Sequence, residues 1–227
     1  MATRSRTARS APFLPFSQKL VLNQWLISLF GIDPLQQHQH NGRPVRPMYA
    51  LTKTLRDCRE GLDTDNLHFF YKQLQLGWLP QASLQPDRLL AYEQNIIAHT
   101  QWLNAGRDRA IEWKYYQWLS LLFTEIYLDQ YFNHRANLLA SLNDFVNRFN
   151  AHWASQPMPH ATGIEPYTED ELNKLCLQNA TGSGKTLLMH VNYRQFAHYA
   201  KEAGQPDAVT RTILILYTRK PLIFGIF

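Results

Sequence analysis

The sequence predicts an α-helical N-terminal domain followed by the start of an α/β P-loop domain, which is incomplete in the chain as given. Three observations lead there. Apolar residues recur at i, i+3, i+4 and i+7 through most of residues 18–153, the pattern of amphipathic helices packed on one another. Residues 154–167, "ASQPMPHATGIEPY", break that pattern with Pro, Ser, Gly and Thr and read as a linker. After it, "ATGSGKT" at 180–186 stands between a short apolar run and a new helical pattern.

The helices follow in order. "QKLVLNQWLISLF" (18–30) predicts a helix ending at Gly31. Residues 31–47 hold Gly31, Pro34, Gly42, Pro44 and Pro47 and are expected to be a loop. "MYALTKTLRDCREGL" predicts a second helix stopped by Gly61, and "DTDNLHFFYKQLQLGW" a third, opened by an Asp/Thr cap and closed at Gly77. Pro86 suits a helix start, and that helix runs to 104, short of Gly106. Residues 111–153 form the longest periodic stretch. Trp113, Tyr116, Leu119, Leu122, Phe123, Ile126, Tyr127 and Tyr131 share one face, Asn133 marks a break, and Leu138, Leu142, Phe145 and Phe149 resume the pattern. Aromatics interleave with Lys and Arg over 112–153, as in single-strand nucleic-acid binders, but helical spacing favours a core.

Beyond the linker, "TEDEL" supplies a cap and an acidic turn, and "KLCLQNA" a short apolar run expected to be a strand. "GKTLLMHVNYRQFAHYAKEAG" predicts a helix of about five turns ended by Gly204. "RTILILYT" (211–218) fits a buried parallel strand. Strand, Gly-rich loop, helix and strand make a βαβ unit. The expected division is therefore 1–153 helical, 154–167 linker and 168–227 the first βαβ unit.

The net charge is not evidence for a basic binding face on the body. Of 23 basic residues, Arg4, Arg6 and Arg9 lie in the first ten and Arg211, Arg219 and Lys220 in the last seventeen. The body between carries 17 basic against all 18 acidic residues, so the net +5 is made by the two ends. The Arg-containing start has the composition of a transit peptide or a basic nucleic-acid arm, and a frayed terminus is the favoured reading. No apolar run approaches the roughly 18 residues of a membrane span, and no signal-peptide core follows the start, so a cytoplasmic location with no membrane partner is expected. Cys58 and Cys176 stand far apart and read as reduced, buried thiols; His38 and His40 lack further ligands and read as a polar loop.

The chemistry sits at 180–186. Gly182 and Gly184 allow backbone turns closed to other residues and a close approach to a polyphosphate. The loop's N–H groups and the start of the following helix would face phosphate oxygens. Lys185 would reach the β- and γ-phosphates, and the Thr186 hydroxyl would ligate Mg²⁺. Ala180, Thr181, Gly182, Ser183, Gly184, Lys185 and Thr186 are thus the candidate nucleotide-binding residues, with Thr186 the metal ligand and ATP and Mg²⁺ the cofactors.

The general P-loop pattern has Gly at position 179, where this chain has Asn179. "ATGSGKTLLMHVN" resembles motif I, the Walker A loop, of superfamily 2 DEAD/DEAH-box helicases, and looks closest to the Res motor subunits of type III restriction enzymes and related phage-defence proteins. The resemblance covers roughly 165–216. It implies a RecA-like fold, ATP-driven translocation or unwinding, DNA as the expected nucleic-acid partner, and a partner subunit such as a methyltransferase. The chain departs from that family after "RTILIL", where "YTRKPLIFGIF" replaces the usual Thr- and Pro-containing loop.

Beyond Thr186 the only acids are Glu202 and Asp207, neither in an Asp-Glu motif, and no second motor lobe is present. No catalytic residue is therefore named, and hydrolysis by this chain alone is expected to be negligible. The chain reads as the N-terminal piece, truncated or frameshifted, of a longer hydrolase. The alternative is a non-catalytic helical module that binds DNA or a partner and carries a vestigial P-loop.

Overall fold

The longest apolar pattern becomes the centre of the molecule. The computed structural model describes residues 12–77, 80–177, 179–180 and 182–208. In it α5 (Tyr115–Asn133) is flanked by α4 (Pro86–Asn104), α6 (Arg135–Ala154) and α7 (Lys185–Glu202). Every residue from Leu121 to Asp129 is buried, so α5 is enclosed on all sides over more than two turns. The sequence suggested a one-sided stripe. The difference arises because Thr124, Glu125 and Asp129 also face neighbours and find polar partners there. Trp113, expected on the helix, precedes it and is fully buried, its indole N–H donating to Thr100 Oγ1 at 2.8 Å.

The remaining helices are shorter than their patterns. Helix α1 (Val21–Ser28) packs on α6, and Trp25 Nε1 donates to Ser141 Oγ at 2.9 Å. Helix α2 (Pro47–Thr52) gives way to turns before Gly61, and α3 spans only Phe69–Leu76. The predicted Asp cap is a turn instead: Asp63 Oδ1 accepts the N–H groups of Asp65 and Leu67, and α3 begins later, after His68. Residues 38–45, expected as loop, form an antiparallel hairpin of β1 (His38–His40) and β2 (Arg43–Val45). Its two turn residues, Asn41 (φ 49°) and Gly42 (φ 72°), both adopt the positive φ that a tight hairpin requires. The thiols are free as expected, but neither is buried: Cys58 is half-buried and Cys176 exposed.

The Pro-rich segment after α6 is docked along that helix. Asn150 Nδ2 donates to Ile164 O at 2.8 Å. Asn143 clasps Tyr167, donating to its carbonyl at 3.0 Å and accepting its N–H at 2.7 Å. Thr168 and Glu171 then form the expected reciprocal cap, and Tyr127 Oη donates to Leu172 O at 2.6 Å. Residues 174–177 and 179–180 are not a strand: no neighbouring strand among the described residues offers them a ladder. The second expected strand, 211–218, lies outside the described residues, as does the Arg-containing start.

Helix α7 runs to Glu202, with Gly204 (φ 71°) just beyond it. Its buried face of Leu188, Val191, Gln195 and Tyr199 lies on α4 and α5. The described fold is thus predominantly helical, with one small sheet. No described helix is long and apolar enough to cross a membrane.

Candidate functional site

The site is built at the first turn of α7. Gly182 (φ 78°) and Gly184 (φ 79°) both take the left-handed conformation, which reverses the chain and launches the helix from Gly184 as its N-cap. The turn closes on itself through Ser183 N–H to Ala180 O at 3.2 Å. Side-chain capping of α7 is absent, since its N-cap has no side chain. The N–H groups of Gly184, Lys185, Thr186 and Leu187 find no acceptor among the described residues. They form the bare positive end of an 18-residue helix dipole.

Helix α5 fixes the loop from behind. Gln117 Nε2 donates to Ser183 O at 2.9 Å, and a Cβ on Gly184 would come within 2.6 Å of the same nitrogen. In a trans peptide C=O and N–H point in opposite directions. Holding the Ser183 carbonyl toward α5 therefore turns the Gly184 N–H away from it. Sequence reasoning did not single out Gln117, whose role depends on a contact 66 positions away.

Of the candidate residues, Ala180, Gly182, Lys185 and Thr186 are exposed, Gly184 is half-buried, and Ser183 is buried with its hydroxyl unpartnered among the described residues. Thr181 lies outside the described residues. Thr186 lines a cleft of about 600 Å³ with Leu187 and His190 of α7 and with Trp102, Leu103 and Arg107 from the end of α4 and the turn after it. Trp102 is 54% exposed, and the Arg194 guanidinium lies 4.1 Å from its ring centroid. No group of three or more His, Cys, Asp or Glu among the described residues is placed to hold a metal. A Mg²⁺ ion here would rest on the Thr186 hydroxyl and on phosphate oxygens brought by the ligand, which suits its habit of keeping few protein ligands.

A buried polar network secures α7 beneath the loop. Glu125, fully buried, accepts from Tyr199 Oη at 2.6 Å and Asn95 Nδ2 at 3.2 Å through Oε2. Gln195 Nε2 donates to Leu121 O at 3.0 Å. Burial pushes the Glu125 carboxyl up to about 7 against the opposing hydrogen bonds of Tyr199, Gln195 and Asn95. Burial likewise pushes His99 down to about 4, aided by His198 and Arg194 nearby, so that ring is neutral at physiological pH. A second cluster lies across α4: Glu93 accepts from the His68 backbone N–H at 2.6 Å and from Trp118 Nε1 at 2.8 Å, and its Oε1 lies 2.8 Å from His68 Nδ1. Asp129 meets Arg88 and the Tyr92 hydroxyl. These clusters occupy the helix interfaces and read as interior adhesion rather than chemistry on a ligand.

No protein-family model, curated protein or solved structure matches this chain.

Proposed function

We propose that residues 180–186 grip the phosphate chain of Mg²⁺-ATP, in the N-terminal part of an ATP-dependent helicase or translocase motor subunit of the restriction or phage-defence type. The observation that carries the reading is the uncapped start of α7, launched by two left-handed glycines, with Lys185 and Thr186 exposed beside it. Backbone N–H groups at a helix start favour an anion, Lys185 adds a cation for the outer phosphates, and Thr186 adds an oxygen for the metal. Beyond Thr186 the sequence offers only Glu202 and Asp207, neither in an Asp-Glu motif, so on this reading the chain alone binds nucleotide without turning it over.

Titration calorimetry with a non-hydrolysable ATP analogue and Mg²⁺ tests the binding. Lys185→Ala should weaken affinity roughly 10- to 150-fold, the loss of a charge-assisted contact of about 1.5–3 kcal/mol. Equal affinity in both proteins defeats the reading. Steady-state phosphate release, with and without DNA, should stay at background. Turnover abolished by Lys185→Ala would show catalytic groups beyond those named.

A second reading is favoured by the way α7 is locked into the helical unit through Gln195 and Tyr199. Here the chain is a non-catalytic module that binds DNA or a partner subunit and keeps a vestigial P-loop. DNA binding by the full chain that ignores both nucleotide and Lys185→Ala would favour it.

A further inference from the structure

We infer that the cleft between the end of α4 and the first turns of α7 is a base-binding subsite, with Trp102 as the residue that stacks on the nucleotide's ring. The inference rests on the phosphate-grip reading of 180–186 and adds to it the nucleoside half of the ligand.

Position comes first. The cleft opens beside the helix start: Thr186 and Leu187, whose N–H groups lack acceptors among the described residues, are also part of its wall. A phosphate chain held at those N–H groups leaves its nucleoside end beside the cleft. At about 600 Å³ the space falls within the range typical of small-molecule sites.

The walls fit a flat ring. Leu103 and Leu187 are apolar, and Trp102 offers the widest planar surface of the site while staying 54% exposed. An indole left half open to water at a helix end gains nothing from that exposure in the free protein. Arg194, one turn beyond His190 on α7, lies over the Trp102 ring at 4.1 Å and holds the indole in place. Arg107 adds a cation to the lining of the cleft. The elements meeting here lie some eighty positions apart in the chain. The helical unit therefore supplies the base contact and α7 the phosphate contact.

Binding of ATP and of inorganic tripolyphosphate, each with Mg²⁺, to the full chain separates the two contacts. Wild type should bind ATP more tightly than tripolyphosphate. Trp102→Ala should weaken ATP roughly 5- to 150-fold, the range expected for one stacked base, and leave tripolyphosphate affinity unchanged. Trp102→Phe should recover most of the loss, and Lys185→Ala should weaken both ligands. ATP affinity unchanged in Trp102→Ala overturns the base site while leaving the phosphate grip standing. Equal losses for both ligands in Trp102→Ala also overturn it, because the indole would then only support the loop. A wild-type chain that binds neither ligand removes the grip and the base site together.

Discussion

Glu125→Gln isolates one proton in the interface between α5 and α7. In the native protein Glu125 Oε2 is satisfied by Tyr199 and Asn95, but its Oε1 is buried with no hydrogen bond from the described residues. So is Oε1 of Gln195, whose Nε2 is committed to the Leu121 carbonyl. The hydrogen bonds of Tyr199, Gln195 and Asn95 favour the ionised carboxylate, and burial outweighs them. Burial above all holds the acid's pKa at about 7, against an ordinary 4.5. At 1.36 kcal/mol per unit the difference amounts to about 3 kcal/mol. In the unfolded chain the proton leaves as pH rises past 4.5, but the folded protein keeps it until about 7. The contribution is therefore complete below pH 4.5, declines through the window, and is gone above about 7. Glutamine is neutral at every pH, so it avoids the buried charge that the acid acquires as pH rises through its pKa. Urea unfolding at pH 5 and pH 8 reads the effect. Relative to wild type, the variant should gain about 2–3 kcal/mol between the two pH values. A stability difference that is the same at both would show that Glu125 is ionised in the folded protein and refute the argument.

Other outcomes follow from the same geometry. Tyr199→Phe removes a hydrogen bond that lowers the Glu125 pKa, so the pH at which stability levels off should move upward; an unchanged profile would break the link between the two residues. Gly184→Ala should cost more than Gly182→Ala, because both bear a left-handed strain of about 1–2 kcal/mol but only Gly184 meets Gln117. In a Gln117→Ala background the two glycine substitutions should become equal in denaturation experiments. Glu93→Ala strips three buried donors, the His68 backbone and ring and the Trp118 indole, and should cost about 3–5 kcal/mol. A loss below about 1 kcal/mol in that variant would mean water replaces the carboxylate.

What could be read in advance, and what could not, divides by the range of the interactions. Helices α4 and α7 were legible because local signals bound them: Pro86 and Gly184 at their starts, Gly106 and Gly204 beyond their ends. The hairpin at 38–45 was hidden because its strands hold His, Gln, Arg and Pro, with Val45 the one β-branched residue. The Asn41-Gly42 pair was the signal that could have revealed it. Residues 174–180 look apolar enough for a strand, but a strand is completed by a neighbour, and local composition cannot supply one. At the site, the glycines, Lys185 and Thr186 were visible as a motif. Gln117, Trp102 and Glu125 were not, because each acquires its role from α7 or the loop that launches it, at least sixty-six positions away along the chain. In isolation Glu125 looks like an ordinary solvent-facing charge interrupting an apolar stripe.

The uncapped start of α7 carries a thermodynamic consequence. A helix whose N-cap is glycine forgoes only a few tenths of a kcal/mol relative to Ser or Asp there, but its first N–H groups stay without a side-chain acceptor. Whatever anion completes that turn returns the missing interaction to the folded state alone, since the unfolded chain presents no such cluster of N–H groups. On the proposed reading, affinity for that anion and resistance to heat are one coupled quantity. At a hundredfold excess over Kd a bound ligand should raise folding stability by about 2.7 kcal/mol. The melting temperature then becomes a direct readout for ranking phosphates, nucleotides and their analogues.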